Sequence, residues 1–186
     1  MEQSCFTFNT FNNYASSGIC DALKNFSKTD NKPVFVCIGS DLVLGDSLGP
    51  LVGTFIKDKN INAYVYGTLN FPITAKEIGC IRTHIRQLHP NSPIIAIDAA
   101  VGEQDDIGLL KVVNGGIKPG LGVDKKLGTV GDLSIIGVVA GKSVQNYNLF
   151  NLTRLNLIYK MANVISSGIE QFVNSFPFIN RLPFAK

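Results

Sequence analysis

Three short apolar runs, separated by stretches of helical length, constrain this chain more than any other feature. They are Pro33–Ile38 (PVFVCI), Ile61–Leu69 (INAYVYGTL) and Pro93–Ile97 (PIIAI). Continuous apolar or β-branched runs of this length fit strands covered on both faces, because strands with one wet face alternate instead. Between the first two runs, Ser47–Lys59 is patterned as a helix. Between the second and third, Thr74 and Glu77 stand at capping-box spacing, followed by Ile78, Ile81, Ile85 and Leu88 at helical period, and Pro90 ends the segment. Strand–helix–strand–helix–strand connections require crossovers on a parallel sheet. The fold class is therefore α/β: a three-layer α/β/α sandwich with a mainly parallel sheet, which later strands can make mixed.

Leu109–Val113 and Leu133–Val139 read as two further strands, joined by the Gly-rich stretch Asn114–Gly131; with no helix between them, antiparallel pairing becomes available. A long helix is predicted over Leu149–Phe176, with Leu152, Leu155, Ile158, Ala162, Ile165, Ile169 and Phe172 on one side and Gly168 weakening its middle. Residues 1–31 are polar and irregular except for a helical stretch near Tyr14–Phe26, where Tyr14, Ile19, Ala22, Leu23 and Phe26 share a face. We read 1–31 as an extension packed on one domain, 32–176, followed by a tail, 177–186. The 186 residues suit a single domain. The tail is apolar for a terminus; packing on its own domain is the simpler expectation, and association into a homo-oligomer the other.

The composition removes several functional classes. At 45% hydrophobic and 17% charged, the chain is not intrinsically disordered. Its net charge of +3 comes from scattered basic residues, Lys125-Lys126 being the one adjacent pair, so no basic stripe offers itself to nucleic acid. No apolar run reaches the roughly 18–20 residues that a membrane span needs. Met1–Phe11 lacks the basic and apolar regions of a secretory signal. The four cysteines, Cys5, Cys20, Cys37 and Cys80, form no CxxC and read as reduced, buried thiols. A cytoplasmic address follows.

In an open parallel sheet, function gathers outside the carboxyl ends of the strands. After the first apolar run comes the loop Gly39–Pro50, which contains Asp41 and Asp46; after the third comes Asp98. The first and third strands of such folds are often neighbours, which would bring Asp46 and Asp98 together. Each acid has a structural alternative. Asp46, or Ser47 beside it, would cap the following helix, and Asp98 would close a loop on backbone amides. A phosphate loop is excluded: Gly39 and Gly45 are one residue too far apart and an acid replaces the lysine, while Gly137 and Gly141 are one residue too close. There is no G-x-G-x-x-G either, and no cofactor is implied.

His84 and His89 fall late on the helix leading into the third strand, hence at the opposite edge of the sheet. They read as solvated helix-face residues, with His89 also placed to meet the helix dipole. A metal site containing His at the aspartates is thereby disfavoured. Cys37 sits in a buried strand without a base, and Ser40 and Ser47 lack a partner His. What remains is the carboxyl pair. Two close aspartates share a proton, so one serves as base on water and the other as acid, a chemistry that hydrolyses amides without metal.

At these residues the chain resembles the YyaC family of sporulation proteins. The resemblance rests on Gly39–Gly53 (GSDLVLGDSLGPLVG), Ile94–Ala99 (IIAIDA), Lys118–Val123 (KPGLGV), Val130–Gly137 (VGDLSIIG) and Asn151–Ala162 (NLTRLNLIYKMA), over roughly residues 32–165. That family is similar to the germination protease, which degrades small acid-soluble spore proteins, and more distantly to the hydrogenase maturation endopeptidases. The resemblance implies a three-layer α/β sandwich. Two aspartates proposed to be catalytic in the germination protease fall on Asp46 and Asp98. In the maturation enzymes the same positions recognise the nickel of the substrate together with a His after the next strand, where Gly115–Lys118 supplies only Lys118. The implied function is therefore an endopeptidase without metal or cofactor, acting on a protein or peptide substrate in the cytoplasm of the sporulating cell or spore. Gly39, Ser40, Asp41 and Lys118 are the candidate substrate-binding residues. Lys118 would stabilise an oxyanion or neutralise a carboxylate, a plain surface lysine being the alternative, and Asp132 is either a third acid or a turn residue. The competing function is a binding or regulatory protein that keeps the cleft without cutting.

Overall fold

The computed structural model describes residues 4–29, 31–74, 76–119, 128–142 and 153–176. Their order is β1 (Cys5–Asn9), α1 (Ala15–Phe26), β2 (Val34–Cys37), a 3₁₀ turn (Leu44–Ser47), α2 (Leu48–Asp58), β3 (Tyr64–Tyr66), α3 (Ile78–Leu88), β4 (Ile94–Gly102), a second 3₁₀ turn (Gln104–Asp106), β5 (Leu109–Val113), β6 (Leu133–Gly141) and α4 (Leu155–Asn174). Six strands form one sheet in the order β1-β5-β6-β4-β2-β3. β6, β4, β2 and β3 pair in parallel, whereas β5 pairs antiparallel with both β6 and β1. The sheet is thus mixed, as the loop-joined later strands implied.

Strand alternation sorts the core onto two faces. Phe35 and Cys37 of β2, Ile95 and Ile97 of β4 and Ile135 of β6 pack beneath α1, α2 and α4. Val34, Val36, Ile94 and Ala96 face the other way, against Ile78 and Ile85 of α3. β2 is buried along its whole length, which is why its sequence runs apolar without alternation. The predicted stripe of α4 is buried at Ile158, Ala162, Ile165, Ile169 and Phe172, the Ile and Phe side chains contributing about 1.5–3 kcal/mol each relative to exposure. Leu155, predicted on that stripe, is 60% exposed at the first turn, and Arg154 before it is extended. Leu149 and Leu152 lie outside the described residues.

Several expectations need correction. The polar segment before Tyr14 contains β1, which adds an edge strand along β5 from Cys5↔Val113 to Asn9↔Leu109. Its residues are mostly exposed, so no burial pattern announced it. Tyr14 is 78% exposed and precedes α1, while Ile19, Ala22 and Leu23 are buried. The second apolar run contracts to Tyr64–Tyr66, because Thr68 and Phe71 close a turn through paired backbone bonds of 3.1 and 3.2 Å. The third continues to Gly102, because β6 stays beside it beyond Asp98. Cys20 and Cys37 are buried, but Cys5 on the edge strand and Cys80 on α3 are exposed. His89 ends α3, stacks on Tyr64 at 4.1 Å and bonds the Tyr66 hydroxyl at 2.8 Å. Burial and then the Lys32 charge lower its pKa, so it meets the helix end as a neutral ring rather than as a cation. No described helix is long and apolar enough to cross a membrane.

Candidate active site

The carboxyl end of the sheet is uneven. β2 stops at Cys37, opposite Ile97, while β4 and β6 run on to Gly102 and Gly141. The last link from the β2 side is Ile38 N–H to the Ile97 carbonyl, 2.8 Å. Asp98 is therefore the first residue of β4 past the end of β2, and the loop leaving β2 takes the place of a strand beside it. That loop is tied down by its own backbone. Gly39 N–H donates to Ile73 O at 2.8 Å, Ser40 N–H to Asp46 O at 3.1 Å, and Asp46 N–H to Val43 O at 2.9 Å. The Ser40 hydroxyl accepts from Leu42 N–H at 3.2 Å. Asp46 is thus held in the 3₁₀ turn that enters α2.

Neither Asp46 nor Ser47 caps α2. Ser47 stands at the cap position, but its hydroxyl donates to Leu44 O at 2.6 Å, and the helix has no side-chain cap. The Ser40 backbone amide, which donates to the Asp46 carbonyl, also lies near the Asp46 carboxyl and draws its pKa down. Asp98 does not close a loop: it lies within β4, and its Oδ1 accepts from the adjacent Ala99 N–H at 2.9 Å. Its Oδ2 has no protein partner among the described residues and is not sealed from solvent.

The two carboxyls feel each other. Burial, and then the charge of Asp46, push Asp98 up to about 8, against a smaller opposing effect of the Ala99 amide. Burial also raises Asp46, partly offset by the Ser40 amide. Both are shifted towards the protonated form, and Asp98 carries the contribution that comes from its neighbour's charge. Two groups of identical chemistry are thereby given different surroundings.

Of the other expected site residues, Gly39 and Ser40 lie beside Asp46, and Asp41 is exposed on the same loop. Lys118 is exposed next to the Ile117–Val130 bridge and is not among the groups that shift either carboxyl. Asp132 accepts from Ile94 N–H at 2.9 Å and pairs with Arg86 at 2.6 Å, at the opposite edge of the sheet, so it is a structural acid. Burial drives the Cys37 thiol far above its ordinary pKa, leaving it inert. Among the described residues no three His, Cys, Asp or Glu side chains gather as metal ligands. Two residues at this edge escaped the sequence reading. Leu42, 89% exposed, follows β2, and Phe71, 77% exposed, follows β3. The available signal was a large apolar residue in a turn, outside any period of 2 or 3.6.

The comparisons with known proteins bear on the family and the fold. The chain is 43% identical over 145 residues to the uncharacterized protein YyaC of Bacillus subtilis strain 168, covering 77% of this chain and 71% of that one. Its fold resembles the [NiFe] hydrogenase maturation protease HycI from Thermococcus kodakarensis KOD1, with a TM-score of 0.52 over 84% of this chain and 98% of the other. At 18% identity that likeness shows a shared fold and no more. A family model, described as a protein of unknown function, matches residues 7–168, taking in the second half of β1 and all of α1, which the motif resemblance left outside. The chain belongs to this family, DUF1256.

Proposed function

We propose that the protein is an endopeptidase in which Asp46 and Asp98 activate water, with small acid-soluble spore proteins as the leading substrate and sporulation or germination as the setting. One observation carries this: two carboxyls stand at the carboxyl end of a parallel sheet, one of them raised to about 8 by burial and then by the charge of the other. The ionised Asp46 takes a proton from water, and the hydroxide forms a bond to the scissile carbonyl carbon. Asp98 gives its proton to the carbonyl oxygen as the C=O π bond opens. Collapse of the tetrahedral adduct breaks the C–N bond as one hydroxyl returns its proton to Asp98 and the C=O bond re-forms, and the leaving nitrogen takes the proton that Asp46 acquired. Leu42 and Phe71, exposed at the same edge, favour a polypeptide substrate with apolar side chains over a small polar one.

The test is incubation of the purified protein with small acid-soluble spore proteins, with intact-mass detection of fragments. Wild type, Asp46→Asn and Asp98→Asn run in parallel, with and without chelator. Discrete fragments from wild type alone, indifferent to chelator, are expected. Stable complexes without fragments from any of the three would replace this reading with the non-catalytic binding function.

A further inference from the structure

The aspartate pair makes no use of a cavity of about 350 Å³ that opens between α3 and the sheet. Its lining includes neither aspartate nor any residue of the loop from Gly39 to Asp46. The inner wall is aliphatic: Val36, Ile78, Ile85, Ile94 and Val130, all nearly inaccessible to solvent. The mouth is polar, with Arg82, Arg86 and Thr129 exposed. An apolar interior with a few placed polar groups is how small-molecule sites are built, and this volume stands at the small end of their range.

The charge at the mouth is one-sided. α3 carries Arg82, His84 and Arg86 and no acid. Arg86 is neutralised by Asp132 at 2.6 Å. Arg82 has no carboxylate partner among the described residues; one of its five donors reaches Thr129 O at 3.3 Å, and the guanidinium packs against the backbone of Gly128. It is thus held at the rim with most of its donors unused, where a planar fork matches a carboxylate.

We propose that this cavity binds a small monocarboxylate with an apolar body, such as a medium-chain alkanoate, its body against the aliphatic residues and its carboxylate on Arg82. A guanidinium with no carboxylate partner among the described residues calls for one negative charge, and the aliphatic inner wall disfavours a polar body. Ile94, Ala96 and Asp98 share one face of β4, so the ligand lies on the same side of the sheet as Asp98, about 13 Å along the strand at 3.3 Å per residue. The site stands whether or not the aspartates are catalytic.

The experiment titrates the full chain with sodium octanoate and with 1-octanol by calorimetry, in wild type and Arg82→Met. The two ligands share a body and differ in charge. Octanoate is expected to bind one site at least tenfold more tightly than octanol, and Arg82→Met to remove that difference while leaving octanol binding unchanged, which also shows the variant to be folded. Octanoate should perturb the methyl resonances of Ile85 and Ile94 and spare those of Ile19 and Ile169 on the other face of the sheet. Unsaturable heats, equal affinities, an octanoate affinity indifferent to Arg82, or perturbations confined to the other face would each overturn the proposal.

Discussion

A Cβ on Gly39 would stand 2.0 Å from the carbonyl oxygen of Asp46, so the loop that carries one carboxyl closes against bare backbone at the end of β2. Gly39 also has φ +141°, a conformation L side chains rarely adopt. Gly39→Ala is therefore expected to push Asp46 away from Asp98 and to cost about 1–3 kcal/mol of stability. With Asp46 more distant, the Asp98 pKa should fall while burial still keeps it above the ordinary carboxyl range. Urea denaturation and a carboxyl NMR titration read the two effects. An alanine variant that matches wild type in both would show that the contact does not position Asp46.

Peptidase activity is expected to follow a bell in pH. It needs Asp98 protonated, so it should decline as pH rises through about 8. It needs Asp46 ionised, so the acid limb should lie above the ordinary aspartate value, in the direction that burial moves this group. Asp46→Asn should abolish turnover by about 10²–10⁴-fold and lower the Asp98 pKa by removing the second of its two raising causes. An Asp98 titration unmoved in Asp46→Asn would mean that the two carboxyls are not coupled.

The same shift makes a statement about stability, with a definite sign. Asp98 has a higher pKa folded than unfolded, so the folded chain binds the extra proton. Its contribution is complete below the ordinary value of 3.8 and is lost as pH rises towards about 8. Asparagine is neutral throughout. The stability of Asp98→Asn relative to wild type should therefore grow between pH 4 and pH 8, by no more than about 1.4 kcal/mol per pH unit for one proton. Denaturation midpoints for the two proteins across that range decide it; a constant difference would place Asp98 in water.

Thiol chemistry offers a check on the fold. Cys5 and Cys80 are exposed, whereas Cys20 on the inner face of α1 and Cys37 on β2 are in the core between the sheet and α1, α2 and α4. A maleimide should modify the first two in the native protein and the second two only after unfolding, as peptide mass mapping would show. Rapid native labelling of Cys20 or Cys37 would contradict the packing of that face.

What was legible in the sequence is what burial writes into it. β2 and the first half of β4 are covered on both faces, and their apolar runs gave the parallel core and, from their ends, Asp46 and Asp98. β1 was hidden because an edge strand with exposed side chains carries no burial pattern; it is held by backbone bonds to β5, which any sequence can make. The second strand was overread because Gly67–Leu69 continues its composition while the turn at Thr68 and Phe71 has already bent the chain. Proximity of the carboxyls followed from topology, but their inequality did not. That depends on β2 stopping short of Asp98 and on which backbone amide each carboxyl meets.

Gly168 separates local propensity from packing most sharply. In the interior of a helix, glycine is about 1 kcal/mol worse than alanine, so propensity alone makes Gly168→Ala stabilising. In the fold, α1 crosses α4 at this point, and a Cβ would stand 2.8 Å from the Ser16 carbonyl oxygen and 2.9 Å from Ile19 Cβ. The nearest atom is backbone and cannot step aside as a flexible side-chain end would. Overpacking of this kind costs about 1–3 kcal/mol and outweighs the propensity gain over most of that range. Gly168→Ala is accordingly expected to lower the urea midpoint, with a net loss of about 1 kcal/mol. A raised midpoint would mean that α1 is not seated on α4 at Ser16 and Ile19.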